Sequence, residues 1–226
     1  MAANDWPEGH RVAGIAGIAF ALLPAVTLFA VFPAVGPAAL PPLGATPAMV
    51  AAYHASSGTG VLIGNYLGIL AVIPGLVKLA YLSALIRKKE PADGWLWLLV
   101  FGAGMFMFGL GALVLVAYNA IPFSASFGLT ASAKALSDLG QGAFAFLMLA
   151  VLALTLSVSW AILKTRALPR WVAMFGIVAS VVMFIASLGA IWTLPFLVGG
   201  GPMTNLTFLV FLTWFASIDV VLLREW

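Results

Sequence analysis

Long apolar runs separated by short polar gaps dominate this chain. Six of the runs can each cross a hydrocarbon core ~30 Å thick, which takes about 20 helical residues. Helices are the expected conformation, because lipid offers no partner for unpaired backbone groups. The pattern predicts an all-α polytopic membrane protein with a single domain over residues 1–226. Its six transmembrane spans are expected at 12–32, 59–86, 95–118, 139–163, 171–196 and 204–223.

The composition agrees with this pattern. Of the 226 residues, 64% are hydrophobic and only 8% are charged, whereas a soluble domain of this size needs far more charge on its surface. The net charge of +3 is interpreted as a topology signal, since cytoplasmic loops of membrane proteins collect Lys and Arg. The expected partner is therefore the lipid bilayer and not nucleic acid. The absence of cysteine excludes disulfides and thiolate chemistry.

The positions of the basic residues predict the orientation. Lys134 lies in an opposite loop and Lys78 lies inside the second span. The other basic residues all fall where an even number of spans places one side of the membrane. By the positive-inside rule both termini are expected in the cytoplasm. The basic residues on that side are Arg11, Arg87, Lys88, Lys89, Lys164, Arg166, Arg170 and Arg224.

Two long outer loops are predicted, at 33–57 and 119–138, each containing a short helix that leads into the next span. Thr46 and Thr130 are the expected N-caps of these helices, because a threonine hydroxyl can accept the free amides of a first turn. Counting eight residues on from each threonine gives His54 and Asp138. We therefore expect these two ionisable side chains at comparable depth on the outer face.

Polar side chains near the outer side form a candidate ligand-binding site. If they converge, they could orient a small amphipathic or lipophilic molecule between apolar walls. The alternative is that His54 and Asp138 are solvated loop residues at helix starts, where a carboxylate suits the helix dipole. The candidate binding residues are His54, Asn65, Tyr66, Tyr118, Asn119, Asp138 and Gln141.

Two isolated charges inside the spans form a candidate ion pair. Lys78 stands about 13 Å from Arg87 along its helix, and Asp219 about 7 Å from Arg224. Ionisable groups in a membrane need a partner or a cavity, so a Lys78–Asp219 pair joining spans two and six is predicted. The alternatives are that Lys78 extends to the interface and that Asp219 pairs with Arg224 or with a lipid-facing water defect.

Glycines are spaced for close helix packing in spans two and three. Small residues four apart let two backbones approach in lipid, and the bundle interior is the expected place for this contact. A homo-oligomer interface is the alternative. The glycines are Gly60, Gly64 and Gly68 in span two, with Gly102, Gly104, Gly109 and Gly111 in span three.

Catalysis and metal binding have little support. Asp138 as an acid and His54 as its partner form a candidate catalytic pair, but no third group stands at a diagnostic spacing. His10 and His54 lie on opposite sides of the membrane, so they cannot share one metal or haem. No metal or cofactor is predicted.

Several short stretches resemble a known family. They are Arg11-Val-Ala-Gly-Ile-Ala-Gly17, Val61-Leu-Ile-Gly-Asn-Tyr-Leu-Gly68, Ile86-Arg-Lys-Lys-Glu90 and Leu168-Pro-Arg-Trp-Val-Ala173. Together they resemble the bacterial multi-span membrane family called domain of unknown function 4386. The resemblance implies a fold and a bacterial inner membrane, and no activity. Members usually carry an acidic residue in span two and another in the last span. Gly68 stands near the first of these positions, so an ion- or proton-linked function is not carried over.

Three functions are compatible with these residues. The leading interpretation is a non-enzymatic membrane protein that binds a lipophilic or amphipathic ligand or serves as an accessory subunit. The second is a small transporter or the membrane component of one, which requires a polar site near the bilayer midplane. The third is an integral-membrane isomerase or cyclase that uses Asp138 and His54. A homo-oligomer or a partner membrane subunit is compatible with each interpretation.

Overall fold

The computed structural model describes residues 7–27, 44–188 and 202–224. Within these ranges the predicted all-α class is confirmed, and six helices are long and apolar enough to cross a membrane. They are α1 (Pro7–Val26), α2 (Pro47–Lys89), α3 (Leu96–Ser126), α4 (Thr130–Thr165), α5 (Arg170–Ser187) and α6 (Pro202–Arg224).

The helices form a closed ring. Each helix packs on the next in the chain, α6 returns to pack on α1, and α2 reaches α4 across the interior. Trp214, Phe215 and Leu79 are among the most deeply buried side chains. Large apolar side chains such as Ile73 and Val178 are 64% and 63% exposed. Such an outer surface suits a hydrocarbon environment, because lipid tails are as apolar as these side chains.

The two ends of the bundle differ in charge. We call one the basic end, where the last turns of α2, α4 and α6 carry Lys89, Lys164 and Arg224 and where α1 and α5 begin near Arg11 and Arg170. The other, the opposite end, is where α2 and α4 begin and α3 finishes. The short connections 90–95 and 166–169 lie at the basic end, and 127–129 at the opposite end.

The connection at 90–95 is held by two side chains. Glu90 accepts hydrogen bonds from the amides of Leu96 at 2.7 Å and Trp97 at 3.1 Å. Arg87 donates to the Gly94 carbonyl at 3.1 Å and lies 5.3 Å from the centre of the Trp97 ring. A carboxylate at a helix N-terminus satisfies free amides and complements the helix dipole. Glu90 therefore caps α3 from outside the helix.

Three helices are much longer than a bilayer requires. α2, α3 and α4 have 43, 31 and 36 residues, so they are about 65, 47 and 54 Å long against a core of ~30 Å. Their ends at the opposite end pack on one another through a small cluster that we call the end core: Ala45, Val50, Ile121 and Ala133. These helix ends occupy the region in which the sequence predicted long loops.

The predicted loop at 119–138 is therefore wrong. α3 continues through Pro122 to Ser126, and only residues 127–129 separate it from α4. Gly128 ends α3 with a φ of 72°. Its amide bonds to the Ala125 carbonyl at 3.0 Å, and the Leu129 amide bonds to the Ser124 carbonyl at 2.9 Å. These paired bonds form a Schellman motif, which a glycine in the left-handed region closes at no steric cost.

The predicted short helices are not separate elements. Residues 47–54 begin α2 and residues 130–138 begin α4, each continuous with its span. The Thr46 cap is confirmed, because its hydroxyl accepts the Met49 amide at 3.3 Å. The Thr130 cap is wrong: Leu129 occupies the cap position and makes no side-chain hydrogen bond.

The glycine prediction is correct for some positions and wrong for others. Gly68 packs against Leu115, and Gly104 packs against Leu79, so both let α2 and α3 approach. Gly60 and Gly64 are buried. The most extensive contact in the ring joins α3 to α4. Three glycines of α3 face open space, with no atom within 4 Å of the point where a Cβ would lie: Gly102, Gly109 and Gly111.

Other predictions fall on residues outside the described ranges. These are the end of the first span with the start of the first outer loop, at 28–43, and the end of the fifth span with the residues that follow it, at 189–201.

Candidate functional site

A buried ion pair joins the second helix to the last. Lys78 Nζ on α2 lies 2.7 Å from Asp219 Oδ1 on α6, and both side chains are fully buried. The ammonium also donates to the Phe215 carbonyl at 2.6 Å and lies 3.4 Å from the centre of the Phe215 ring. An aromatic face stabilises a desolvated cation. The pair that the sequence predicted is thus formed, and the pairing of Asp219 with Arg224 is not.

A third helix closes this site. A side chain at Gly17 of α1 would overlap the Asp219 carboxylate, so only a glycine lets the α1 backbone lie there. One turn away, a side chain at Gly14 would meet Leu223 at 2.7 Å. Asp219 Oδ2 accepts no hydrogen bond from the residues that the structure describes. The carboxylate is therefore held by one cation and enclosed by α1, α2 and α6.

At the opposite end, His54 is buried without a polar partner. The side chain is 2% exposed, and neither Nδ1 nor Nε2 forms a hydrogen bond with any described residue. His54 lies one turn after Val50 of the end core, on the part of α2 that precedes the span beginning at Gly58. Burial lowers the pKa of His54 to about 4, because the charged imidazole loses its hydration. The imidazole is therefore neutral at ordinary pH.

Asp138 does not interact with His54. It pairs with Lys134, one turn earlier on the same helix, and half of its side chain is exposed. α4 turns Lys134 and Asp138 outward, while Ala133, Ser137 and Gly140 are buried. The predicted His54–Asp138 pair is therefore wrong. Residues four apart share a helix face, which explains why Asp138 follows Lys134.

The remaining residues of the predicted outer site divide into interior and exposed positions. Asn65 Nδ2 donates to Asn119 Oδ1 at 3.3 Å across α2 and α3. Tyr118 packs its ring over Gly140 of α4, where an added Cβ would lie 3.2 Å from the ring. Gln141 and Tyr66 differ in their exposure. Gln141 lies near Ser137, with its Nε2 3.5 Å from the hydroxyl, whereas Tyr66 is 61% exposed and belongs to the outer surface of the bundle.

The buried and half-buried polar residues at this end form what we call the neutral seam. They lie along the contact between α2, α3 and α4 and not in one compact pocket, since Asn65 is about 16 Å along α2 from His54. None of them carries a charge at neutral pH, because an imidazole with a lowered pKa and a phenol are both uncharged there. The seam consists of His54, Asn65, Tyr118, Asn119, Ser137 and Gln141.

Sequence reasoning did not identify Gly17, Phe215 or Ser137 as site residues. Gly17 lies with Gly14 on one face of α1, and two glycines on one helix face were a detectable sign of close helix packing. Phe215 acts through its carbonyl and ring face, and Ser137 through one hydroxyl. Neither residue type stands out among the many apolar and small residues of these spans.

In the described ranges, no three His, Asp or Glu side chains lie close enough together to hold a metal ion.

In comparisons with known proteins, the chain matches no family model, no curated protein and no solved structure. The functional interpretation therefore rests on the two buried sites.

Proposed function

We propose that this protein is a non-enzymatic integral membrane protein that binds a lipophilic or amphipathic molecule at the neutral seam. The observation that carries the proposal is His54, which is 2% exposed and has two ring nitrogens without partners among the described residues. A buried polar group without a hydrogen bond costs about 1–3 kcal/mol. A ligand that supplies the missing partner would recover that free energy on binding.

The position of His54 supports a ligand that is largely apolar. The residue precedes the span at Gly58 by about 6 Å along α2, and the end core lies beside it. A headgroup that reaches His54 from the bilayer would leave its apolar body in the hydrocarbon. Binding sites of this kind combine apolar walls with a few polar groups that orient the ligand.

Co-purification tests the proposal. The parent protein is extracted in a mild detergent, washed, and its bound lipophiles are identified by mass spectrometry after solvent extraction. We expect one species to be enriched at a fixed ratio in the parent and lost from His54→Leu. The matched control is His10→Leu, at the basic end, where the ring packs 5.4 Å from Tyr81. Equal retention by all three proteins would reject the site.

An enzymatic function is not proposed. The acid–base pair that it requires is not assembled, because Asp138 is engaged by Lys134 on the exposed face of α4. A general acid or base must lie within hydrogen-bond reach of the proton that it transfers.

A transporter is the second candidate, favoured by the Lys78–Asp219 pair. Ionisable groups inside a membrane often lie on ion or proton pathways, and Asp219 Oδ2 has no described hydrogen-bond partner. A proton or cation that reached this oxygen would compete with Lys78. Proteoliposomes containing a pH-sensitive dye distinguish the candidates: proton flux that is lost in folded Asp219→Asn would support transport, and no flux in the parent would remove it.

The cellular setting is part of the proposal. We place both termini in the cytoplasm, supported by the concentration of Lys and Arg at the basic end, and the protein in a bacterial inner membrane, as the family resemblance implies. We also propose that the protein belongs to the family called domain of unknown function 4386, because several of its sequence stretches resemble that family. The roles of accessory subunit and homo-oligomer stay predictions.

A further inference from the structure

The neutral seam restricts the chemistry of a bound headgroup, and this inference rests on the function proposed above. Charged side chains are present at this end of the bundle, but they are turned away from the seam. Lys134 and Asp138 pair with each other on the outward face of α4. On the inward face the same helix contributes only Ser137 and Gln141, whose polar groups are uncharged.

We propose that the seam binds a lipophile whose headgroup is uncharged and both donates and accepts hydrogen bonds, such as the hydroxyl of a glycerol ester or a long-chain alcohol. A charged headgroup would be buried with no opposite charge, which is far more costly than burying a hydroxyl that finds a partner. The lack of any ionised side chain in the seam thus selects against fatty acids and amines.

The hydrogen-bonding pattern of His54 matches a hydroxyl. A neutral imidazole carries one N–H donor and one nitrogen acceptor, and both are unused among the described residues. A hydroxyl group also offers one donor and two acceptor lone pairs. One hydroxyl can satisfy one ring nitrogen, and a diol or a hydroxyl with a nearby ester carbonyl can satisfy both. The low pKa of His54 agrees with this, because the ring stays neutral when the headgroup binds.

The other polar members of the seam support specificity for small neutral groups. The Asn65–Asn119 hydrogen bond at 3.3 Å already joins α2 and α3, so these amides need no charged partner. The end core beside His54 consists of small or branched apolar residues. A compact headgroup therefore fits better than one that brings a hydration shell.

The test uses ¹⁵N-histidine NMR of the full chain in detergent micelles. The chain has two histidines, so His10→Gln leaves His54 as the single reporter. Three probes with similar chains are titrated at equal mole fraction: 1,2-dioleoylglycerol, oleate and oleylamine. We expect a saturable shift of both His54 ring nitrogens with dioleoylglycerol and no saturable shift with either charged probe. If His10→Gln does not fold, the parent serves, and His54 is the signal that is absent from His54→Leu.

A second measurement is the binding of radiolabelled dioleoylglycerol. We expect His54→Leu to lose about tenfold or more in affinity, the equivalent of one lost hydrogen bond in a buried site. Asp138→Asn is the control and should bind like the parent, because Asp138 faces outward.

The outcomes separate this inference from the proposed function. A saturable response to oleate or oleylamine as strong as that to dioleoylglycerol, or a charged lipophile co-purifying through His54, overturns the headgroup inference and leaves ligand binding in place. No response to any of the three probes, in protein freed of native lipid, overturns both.

Discussion

At the scale of single residues, the buried ammonium of Lys78 depends on a small set of contacts. Its ammonium is fully buried and depends on Asp219 and on the carbonyl and ring of Phe215. We expect Lys78→Met to lower the free energy of unfolding by about 3–5 kcal/mol, because it leaves the Asp219 charge buried and unpaired. Combining it with Asp219→Asn should restore part of the loss. Thermal unfolding in detergent measures both effects.

An exposed pair provides the control for this prediction. Lys134 and Asp138 carry the same two charges one helical turn apart at the surface of α4. Lys134→Met should cost no more than about 0.5 kcal/mol, since exposed pairs at this spacing contribute little. Equal losses of unfolding free energy in Lys134→Met and Lys78→Met would mean that burial does not determine how much the Lys78 pair contributes to stability.

His54 links stability to pH. Its pKa is 6.5 in the unfolded chain and about 4 in the folded protein, so between these values the unfolded state binds more protons. Stability contributed by this group is complete above pH 6.5 and falls as the pH drops toward 4, by at most about 1.4 kcal/mol per pH unit. We expect the melting temperature of the parent to fall more between pH 7 and pH 5 than that of His54→Leu. An identical fall in both proteins would contradict a neutral buried imidazole.

The candidate site was only partly predictable from its residues. The Lys78–Asp219 pair could be predicted, because two opposite charges stood alone at similar depths in apolar spans. Whether His54 and Asp138 form a pair could not be predicted from their positions in the sequence, because it depends on which face of α4 points toward the bundle interior. In a span that is apolar all round, hydropathy does not define the inward face, so the outward position of Asp138 was not visible.

At the scale of helices, the contact of α1 with α6 depends on Gly17. A methyl group there would overlap the Asp219 carboxylate, so the helices or the ion pair must move. We expect Gly17→Ala to cost about 1–3 kcal/mol, as overpacking of a filled core does. The matched change is Gly109→Ala on α3, where nothing lies within 4 Å. That variant should be neutral or gain up to about 1 kcal/mol of helix propensity, and thermal unfolding of both decides the point.

The cap of α3 offers an independent test. Glu90 accepts the amides of Leu96 and Trp97, so Glu90→Ala leaves two amides to water. We expect a loss of about 1 kcal/mol and faster proteolytic cleavage at residues 90–95. The comparison is Asp93→Ala in the same connection, where the side chain is exposed. Equal cleavage of the two variants would show that Glu90 does not hold this connection.

The helix boundaries show where sequence reasoning reaches its limit. The six apolar segments could be located because lipid admits only helices of sufficient length. The extensions of these helices at the opposite end could not be located from the sequence, because polar residues such as Asn119 and the proline at 122 lower the hydropathy there. Gly128 was the available sign of the true end of α3, because its left-handed φ of 72° is where Schellman motifs place glycine.

At the scale of the whole molecule, orientation can be tested directly because the chain has no cysteine. A single cysteine is introduced at Phe127, in the connection at the opposite end, or at Lys89, at the basic end; both positions are exposed. With a membrane-impermeant maleimide, we expect Phe127→Cys to react in intact cells and Lys89→Cys only after permeabilisation. The reverse pattern would invert the proposed topology.

The ion pair between the second and the last helix also constrains how the protein is made. Lys78 leaves the ribosome long before Asp219, so α2 enters the bilayer while its cation has no counter-charge. A lone lysine in hydrocarbon moves toward the interface, and α2 would therefore sit displaced along its axis until α6 is inserted. Arrival of α6 brings both the carboxylate and the surface on which α1 packs. Insertion of α6 thus completes the ring, and a nascent chain that stops before α6 would keep Lys78 in the bilayer without its carboxylate partner.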